Sequence, residues 1–315
     1  RFQFGNGGNF PFTSLIDKNI PVKTIAVINT NLMHAVLVPL DSKIKSFKDF
    51  KGSNPPATIG IVTGSSAEFY IQAAAKANGI EIGKDIILKN MPPGEQMAMP
   101  KGIDAVVPWD PTPTIMSKER KNARIISDSY PYNIYAGTFY VRQEVIDNAP
   151  DVVQAFTDAI AEATLWIRKN PDAAVDVMQE DPNLKNYSKD ILRQQITAYN
   201  LLYKPNYIYP IPVFWGRANE PIYTWLYENK RIQNKLTGID FARAVDTRFM
   251  DKTFEKLGWA TTTRPPFLPA SWSAPMDKTP YPTYMNPLNT TTPQPFPEKG
   301  DLVRDWSFDG KTYKK

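Results

Sequence analysis

Between Ala57 and Gly79 the chain reads ATIGIVT, then GSS, then AEFYIQAAAKANG. An apolar run ends in a small polar turn, and a helix-like segment begins at once and closes on glycine. A strand that passes to a helix through so short a turn is the repeating piece of a parallel or mixed α/β sheet. The pattern recurs. KTIAVINT and HAVLVPL have strand character, SFKDFKG is a short helical turn, and DIILKNM and GIDAVVPW are strands, the latter followed by a helix from Pro111. ARIISDS and GTFYVRQEVI continue the strands.

Beyond residue 150 the pattern turns helical. Asp151–Asn170 sets Val152, Val153, Phe156, Ala159, Ile160, Ala163 and Ile167 at helical spacing, predicting one apolar face. Ser188–Tyr203 follows with Ser188 as cap, then NEPIYTWLYENKRI and DFARAVDTRFMDKTFEKLGW, each read as one helix. The chain shows no internal repeat.

Length and composition narrow the function. At 315 residues two lobes are expected rather than one core. Hydrophobic residues make up 42% and charged residues 22%, a globular balance, and no apolar run reaches the roughly 18 residues that span a bilayer. The net charge of +5 favours anionic partners, but no Lys/Arg-dense stripe marks a nucleic-acid surface. With no cysteine there are no disulfides, thiolate nucleophiles or cysteine–zinc sites. The one histidine, His34 in NLMHAVLVPL, has the alternation of a buried strand and is expected in or beside the core. Histidine metal sites are thereby nearly excluded, and a Ser-His triad would rest on His34 alone. RFQFGNGGNFPFTSLI begins as if in mid-strand, by leader removal or by starting inside the domain. From Thr261 proline and threonine dominate, yet Phe267, Trp272, Tyr281, Tyr284, Phe296 and Trp306 recur. An extended arm anchored by its aromatics fits this better than a floppy tail.

Several turns could carry a site. Ser65 with Glu68 fits a capping box, which explains both without a ligand. Gly64 and Ser66 suit a second role: glycine lets a bound group approach, and first-turn N–H groups with a serine hydroxyl cradle an anion. Trp109-Asp110-Pro111 ends another strand. Asp110 and Pro111 suit a helix start, while Trp109 stands where open α/β sheets bind ligands. FGNGGNFPF is expected to add a third turn, with Gly7 and Gly8 permitting close approach and Asn9 able to donate and accept. YAGTFYV adds Tyr135, Gly137 and Thr138, the last equally an ordinary strand residue. There is no phosphate-binding loop, no G-x-G-x-x-G, no acid/base carboxylate pair and no nucleophile elbow. A polar-aromatic cleft without a reaction centre is the pattern of a binder.

In this order, GNGGNFPFTSLI, VLVPLDSKIKSFKDFKG, the strand–TGSS–helix, GIDAVVPWDP, GTFYVRQEVIDNAPDVVQAF and LYENKRI resemble the periplasmic solute-binding proteins of ABC importers. The subgroup is the sulfonate, taurine and nitrate one (NMT1/THI5-like), which also includes pyrimidine-precursor binders. The resemblance covers roughly Phe4 to Trp259. It departs in lacking the family's first β-α-β unit and in carrying the Pro-rich arm. It implies a two-lobed type II periplasmic-binding fold, with mixed sheets flanked by helices plus an extended C-terminal arm. Lobe one would hold residues 1–41 and 136–260, lobe two 42–135, and the arm 261–315. Gly8 and Asn9 would face the ligand from lobe one, and Gly64, Ser65, Ser66, Trp109 and Asp110 from lobe two. Tyr135, Gly137 and Thr138 would form the hinge and cleft floor, and Phe214 and Trp215 would close the pocket or else pack in the core. Phe69 and Tyr70 would shape the pocket beside Trp109.

The resemblance implies hinge closure on a small organic anion, an aliphatic or aromatic sulfonate or carboxylate, for delivery to an ABC permease in the inner membrane. It implies a periplasmic (or extracellular, lipid-anchored) monomer without catalytic residues, metal, cofactor or nucleic-acid partner. The alternative is a pyrimidine/thiamine-precursor binder or synthase of the same fold, though the cysteine-rich motif of the synthases is absent. A sensing domain of a two-component system is a further rival that no transmembrane or kinase segment supports.

Overall fold

The computed structural model describes residues 2–29, 34–128, 137–197, 220, 222–256, 306–308 and 311–313. Two compact units emerge: one of residues 1–31 and 134–315, the other of residues 32–133. No helix among the described residues is long and apolar enough to cross a membrane.

The first unit opens with β1 (Phe4–Gly8), α1 (Asn9–Asp17) and β2 (Val22–Asn29). FGNGG was expected to turn; it is a strand. Its glycines serve packing. A Cβ on Gly5 would stand 2.6 Å from Tyr140 Cε2, and one on Gly7 would stand 3.3 Å from Pro11 Cγ. The strand therefore keeps its backbone under a tyrosine ring that any side chain would displace.

The second unit is built on one mixed sheet. Its strands are β3 (Ala35–Pro39), β4 (Ala57–Ile61), β5 (Ile86–Asn90), β6 (Ala105–Val106) and β7 (Ala123–Asp128), in the order β5-β4-β6-β3-β7. β4 runs parallel to β5 and β6, while β3 runs antiparallel to β6 and β7. HAVLVPL, grouped with the first lobe by the sequence expectation, ladders here. Its residues alternate between two cores, as the period of a strand requires. Val36 and Val38 join Phe50, Ile59, Ile61, Tyr70, Ile71 and Ala74 on one face. Ala35 and Leu37 join Met91, Ile103, Val106 and Met116 on the other.

The first of these faces is covered by α2 (Ser66–Ala77) and by a short 3-10 turn over Phe47–Phe50. α2 ends as the sequence predicts. Gly79 takes φ +65, its N–H donates to Lys76 O, and Ile80 N–H donates back to Ala75 O, a Schellman closure that satisfies the last carbonyls. The opposite face is covered by α3 (Pro93–Gln96) with its flanking methionines, and by α4 (Thr112–Thr114), which continues as a π-helical turn over Ile115–Glu119.

The chain then returns to the first unit as β8 (Gly137–Arg142), which lies between β1 and β2 in a three-stranded antiparallel sheet. Helices follow: α5 (Gln143–Asn148), α6 (Pro150–Lys169), α7 (Pro171–Glu180), α8 (Lys189–Thr197), α9 (222–228), α10 (Gly238–Arg243) and α11 (Arg248–Lys256). The sequence expectation passed over α7, whose signal was Pro171 at the first helical position. Ser188 caps α8, accepting from Ile191 N–H at 3.2 Å.

On α6 the apolar face is only partly the one expected. Val153 is buried and Phe156 and Ile167 pack against core clusters as expected, but Val152 is 49% exposed and Ala159 and Ala163 are exposed, while Thr157, Ala161 and Thr164 are buried. The two threonines tolerate burial because their hydroxyls donate to Val153 O and Ile160 O one turn back. The predicted single helix over 240–259 is two helices. Between them Val245 pairs with Thr24 of β2, and Thr24 N–H donates to Ala244 O while Asp246 N–H donates to Thr24 O, each at 2.8 Å. The sheet edge thus claims backbone groups that a continuous helix would need.

Of the Pro-rich arm, most lies outside the described residues. Near its end Trp306–Phe308 (β9) and Lys311–Tyr313 (β10) pair antiparallel, and β10 lies against α6.

Candidate functional site

Strand direction decides where a site can form in the 32–133 unit. β4, β5 and β6 are parallel, so their carboxyl ends share one edge of the sheet. β3 is antiparallel to β6, so its first residue reaches that same edge, as does the last residue of β7. Ligand sites of open α/β sheets lie at such carboxyl edges.

The loop after β4 supplies the turn quoted at the outset. Gly64 adopts φ +78, where a side chain would be strained, and its N–H donates to Glu68 Oε2 at 2.6 Å. The capping box is therefore shifted by one residue: Glu68 closes on Gly64 instead of Ser65. Ser65 is the N-cap, accepting from Ala67 N–H at 3.2 Å and donating its own hydroxyl to Val62 O at 2.6 Å. Thr63 N–H is held by Asn90 Oδ1 from the end of β5 at 3.0 Å. Among the described residues no acceptor is paired with the Ser66 N–H, which opens α2 at the positive end of its dipole.

Ser66 is 7% exposed, and its Oγ lies 2.8 Å from His34 Nε2. His34 is wholly buried, as expected from the sequence, but it is also a neighbour of the candidate turn. Its backbone bridges to Trp109, Ala35 N–H donates to Pro108 O, and the His34 and Trp109 rings meet edge to face at 6.1 Å. Three elements that the sequence keeps far apart thus converge: His34 before β3, Ser66 on α2 and Trp109 after β6. His34 is the member sequence reasoning missed. A histidine next to a buried strand carries no mark of which turn it will touch.

Trp109 is half-buried and packs against the α2-side core. Asp110 does not cap as expected. The helix begins at Thr112 with Pro111 in the cap position, and Asp110 Oδ1 accepts from Thr114 Oγ1 at 3.1 Å. Tyr70 is core: fully buried, its hydroxyl donates to Ser127 Oγ on β7 at 2.9 Å. Phe69 is buried at 7% exposure.

In the other unit, Gly8, Asn9, Gly137 and Thr138 meet at one end of the three-stranded sheet. Gly8 pairs with Gly137. Asn9 begins α1, is buried, and accepts through its backbone oxygen from Thr13 Oγ1. Thr138 is buried and donates to Gly7 O at 3.2 Å, which makes it a strand-locking residue of this sheet. Tyr135, Phe214 and Trp215 lie outside the described residues. No group of three or more His, Cys, Asp or Glu among the described residues could hold a metal ion.

The fold that frames these residues is that of the periplasmic binding proteins. The alkanesulfonate-binding protein SsuA of Xanthomonas axonopodis pv. citri bound to MOPS superposes with a TM-score of 0.62 at 14% identity, covering 78% of this chain and 81% of that one. The periplasmic nitrate-binding protein NrtA of Synechocystis PCC 6803 gives 0.56 at 15% identity, over 78% and 72%. The desulfurization enzyme DSZB gives 0.53 at 16% identity, over 80% and 85%. Among curated protein sequences there is no significant match. Residues 11–174, just over half of the chain, match the family described as NMT1/THI5 like. The protein belongs to that family.

Proposed function

We propose that the protein is the solute-binding component of an ABC import system, taking a small organic anion, a sulfonate or carboxylate, in the periplasm and delivering it to an inner-membrane permease. One observation carries the assignment of the site: the Gly64–Ser66 turn, His34 and Trp109 gather at the carboxyl edge of a parallel strand pair. First-turn N–H groups and a hydroxyl suit an anion without burying an unpaired cation, and Trp109 offers an apolar wall to its organic remainder. MOPS carries a sulfonate, so the ligand of the Xanthomonas protein has the same chemistry.

Calorimetric titration with ethanesulfonate, benzenesulfonate, benzoate and nitrate tests this, with thermal shift as a screen because ligand binding favours only the folded state. Binding of one class, weakened on the order of tenfold by Ser66→Ala and by Trp109→Ala, is expected. Unchanged affinity in both variants would remove the site from this edge. A second reading, an enzyme of the same fold, rests on the 2.8 Å between Ser66 Oγ and His34 Nε2, the reach of an activated hydroxyl. Turnover of a p-nitrophenyl ester that Ser66→Ala abolishes would favour it.

A further inference from the structure

A serine hydroxyl has one proton, and the His34–Ser66 contact decides where it points. If Nε2 is bare, Ser66 donates to the imidazole and offers an incoming anion only lone pairs, which repel it. If Nε2 carries the proton, Ser66 Oγ accepts from His34 and its own O–H is released for a ligand at the start of α2. The two states share the observed 2.8 Å separation but give the site opposite polarity.

We propose that His34 is the positioning residue of the anion site, donating through Nε2 to Ser66 Oγ so that the Ser66 hydroxyl donates to the ligand. This rests on the solute-binding assignment and deepens it, by naming the residue that makes the site select acceptor groups. His34 is placed to do this without touching ligand. It is completely buried, fixed by the Trp109 bridge and the Ala35–Pro108 hydrogen bond, and abutted by the Trp109 ring. The fixed ring sets the direction from which Ser66 is held, leaving the hydroxyl proton and the Ser66 N–H on the same first turn of α2. The surrounding elements carry acidic groups: Glu68 on α2, engaged with Gly64 N–H; Asp110, accepting from Thr114; and Asp128, which the ladder sets opposite Ala35. An Oγ presenting lone pairs would add to that negative field, whereas a donated hydroxyl opposes it.

The chain holds one histidine, so a 15N-labelled sample gives one imidazole and its tautomer is read without assignment. Wild-type protein is titrated with ethanesulfonate, benzenesulfonate, benzoate and nitrate by calorimetry and by 15N NMR, beside His34→Leu and His34→Gln. The expected result has four parts: binding of at least one probe, a protonated Nε2 in the complex, a loss on the order of tenfold in affinity for His34→Leu, and recovery to within about threefold for His34→Gln, whose carboxamide can still donate. A bare Nε2 in the complex, or affinity of a folded His34→Leu within about twofold of wild type, overturns the positioning role while leaving solute binding intact. Should His34→Leu fail to fold, the tautomer in the wild-type complex decides. If no probe binds wild-type protein, the solute assignment fails, and the role of His34 with it.

Discussion

Each unit is held together internally by a different kind of contact. Residues 32–133 form one continuous stretch, and its strands, turns and covering helix come from a single passage of chain. The other unit is stitched from distant pieces. β1 registers with β8 from Phe4↔Val141 to Gly8↔Gly137, and the buried Asp17 accepts from Gln233 and Asn234 N–H, 216 and 217 residues away. The contrast teaches that a local α/β pattern is visible in sequence, whereas a ladder between remote segments is not, because its partner cannot be named from spacing.

The contrast can be broken by substitution. In the continuous unit the apolar core dominates. Phe50→Ala, at a fully buried position, is expected to cost about 3–5 kcal/mol in urea unfolding. If the stitched unit depends on remote polar ties, Asp17→Ala should approach that figure, at about 3 kcal/mol, since it strands the Gln233 and Asn234 amides. A loss under about 1 kcal/mol would show that the tie is dispensable and the contrast overstated. Gly5→Ala probes the β1–β8 ladder. The added methyl meets the Tyr140 ring and should destabilise by about 1–3 kcal/mol, with Tyr140→Ser restoring much of the loss in a double-mutant cycle. Tyr70→Phe removes the hydroxyl bond to Ser127 and should cost about 1 kcal/mol.

The smallest effect is electrostatic. Burial pushes the Asp246 carboxyl up, but hydrogen bonds and charge from Arg248 prevail and hold it below the ordinary carboxylate value. A depressed folded-state pKa means the pair stabilises above the unfolded value, about 3.9, and the contribution is lost as pH falls through the lower folded value. An acid scan of Asp246→Asn should therefore be slightly flatter than wild type below about pH 4, the difference being small because Arg248 is largely exposed to solvent.

The same contrast explains what was legible. Gly64, Ser65 and Ser66 announced a turn at a strand end because glycine, cap and helix follow one another directly. Trp109 was legible only as the residue between a strand and a helix, since the cap expected at Asp110 is not formed. Glu68 fits a capping box in the sequence, but side-chain reach moves its donor from the Ser65 N–H to the Gly64 N–H. His34 gave away its burial and nothing of its neighbour, since the link to Ser66 runs between β3 and α2 rather than along the chain. In the stitched unit, FGNGG looked like a turn until Tyr140 supplied the reason for its glycines. The break at Val245 was hidden because the competing partner, Thr24, lies at the other end of the sequence.

The pairings at the two chain crossings have a practical consequence. Asn29, ending β2, sits directly across from Gly137, which starts β8, and Ala35 at the head of β3 sits across from Asp128 at the tail of β7. Each body therefore presents its cut ends side by side. A hairpin turn could seal one and a short splice the other, so a relative's central body could be grafted in at two adjoining points with every remaining strand still in step.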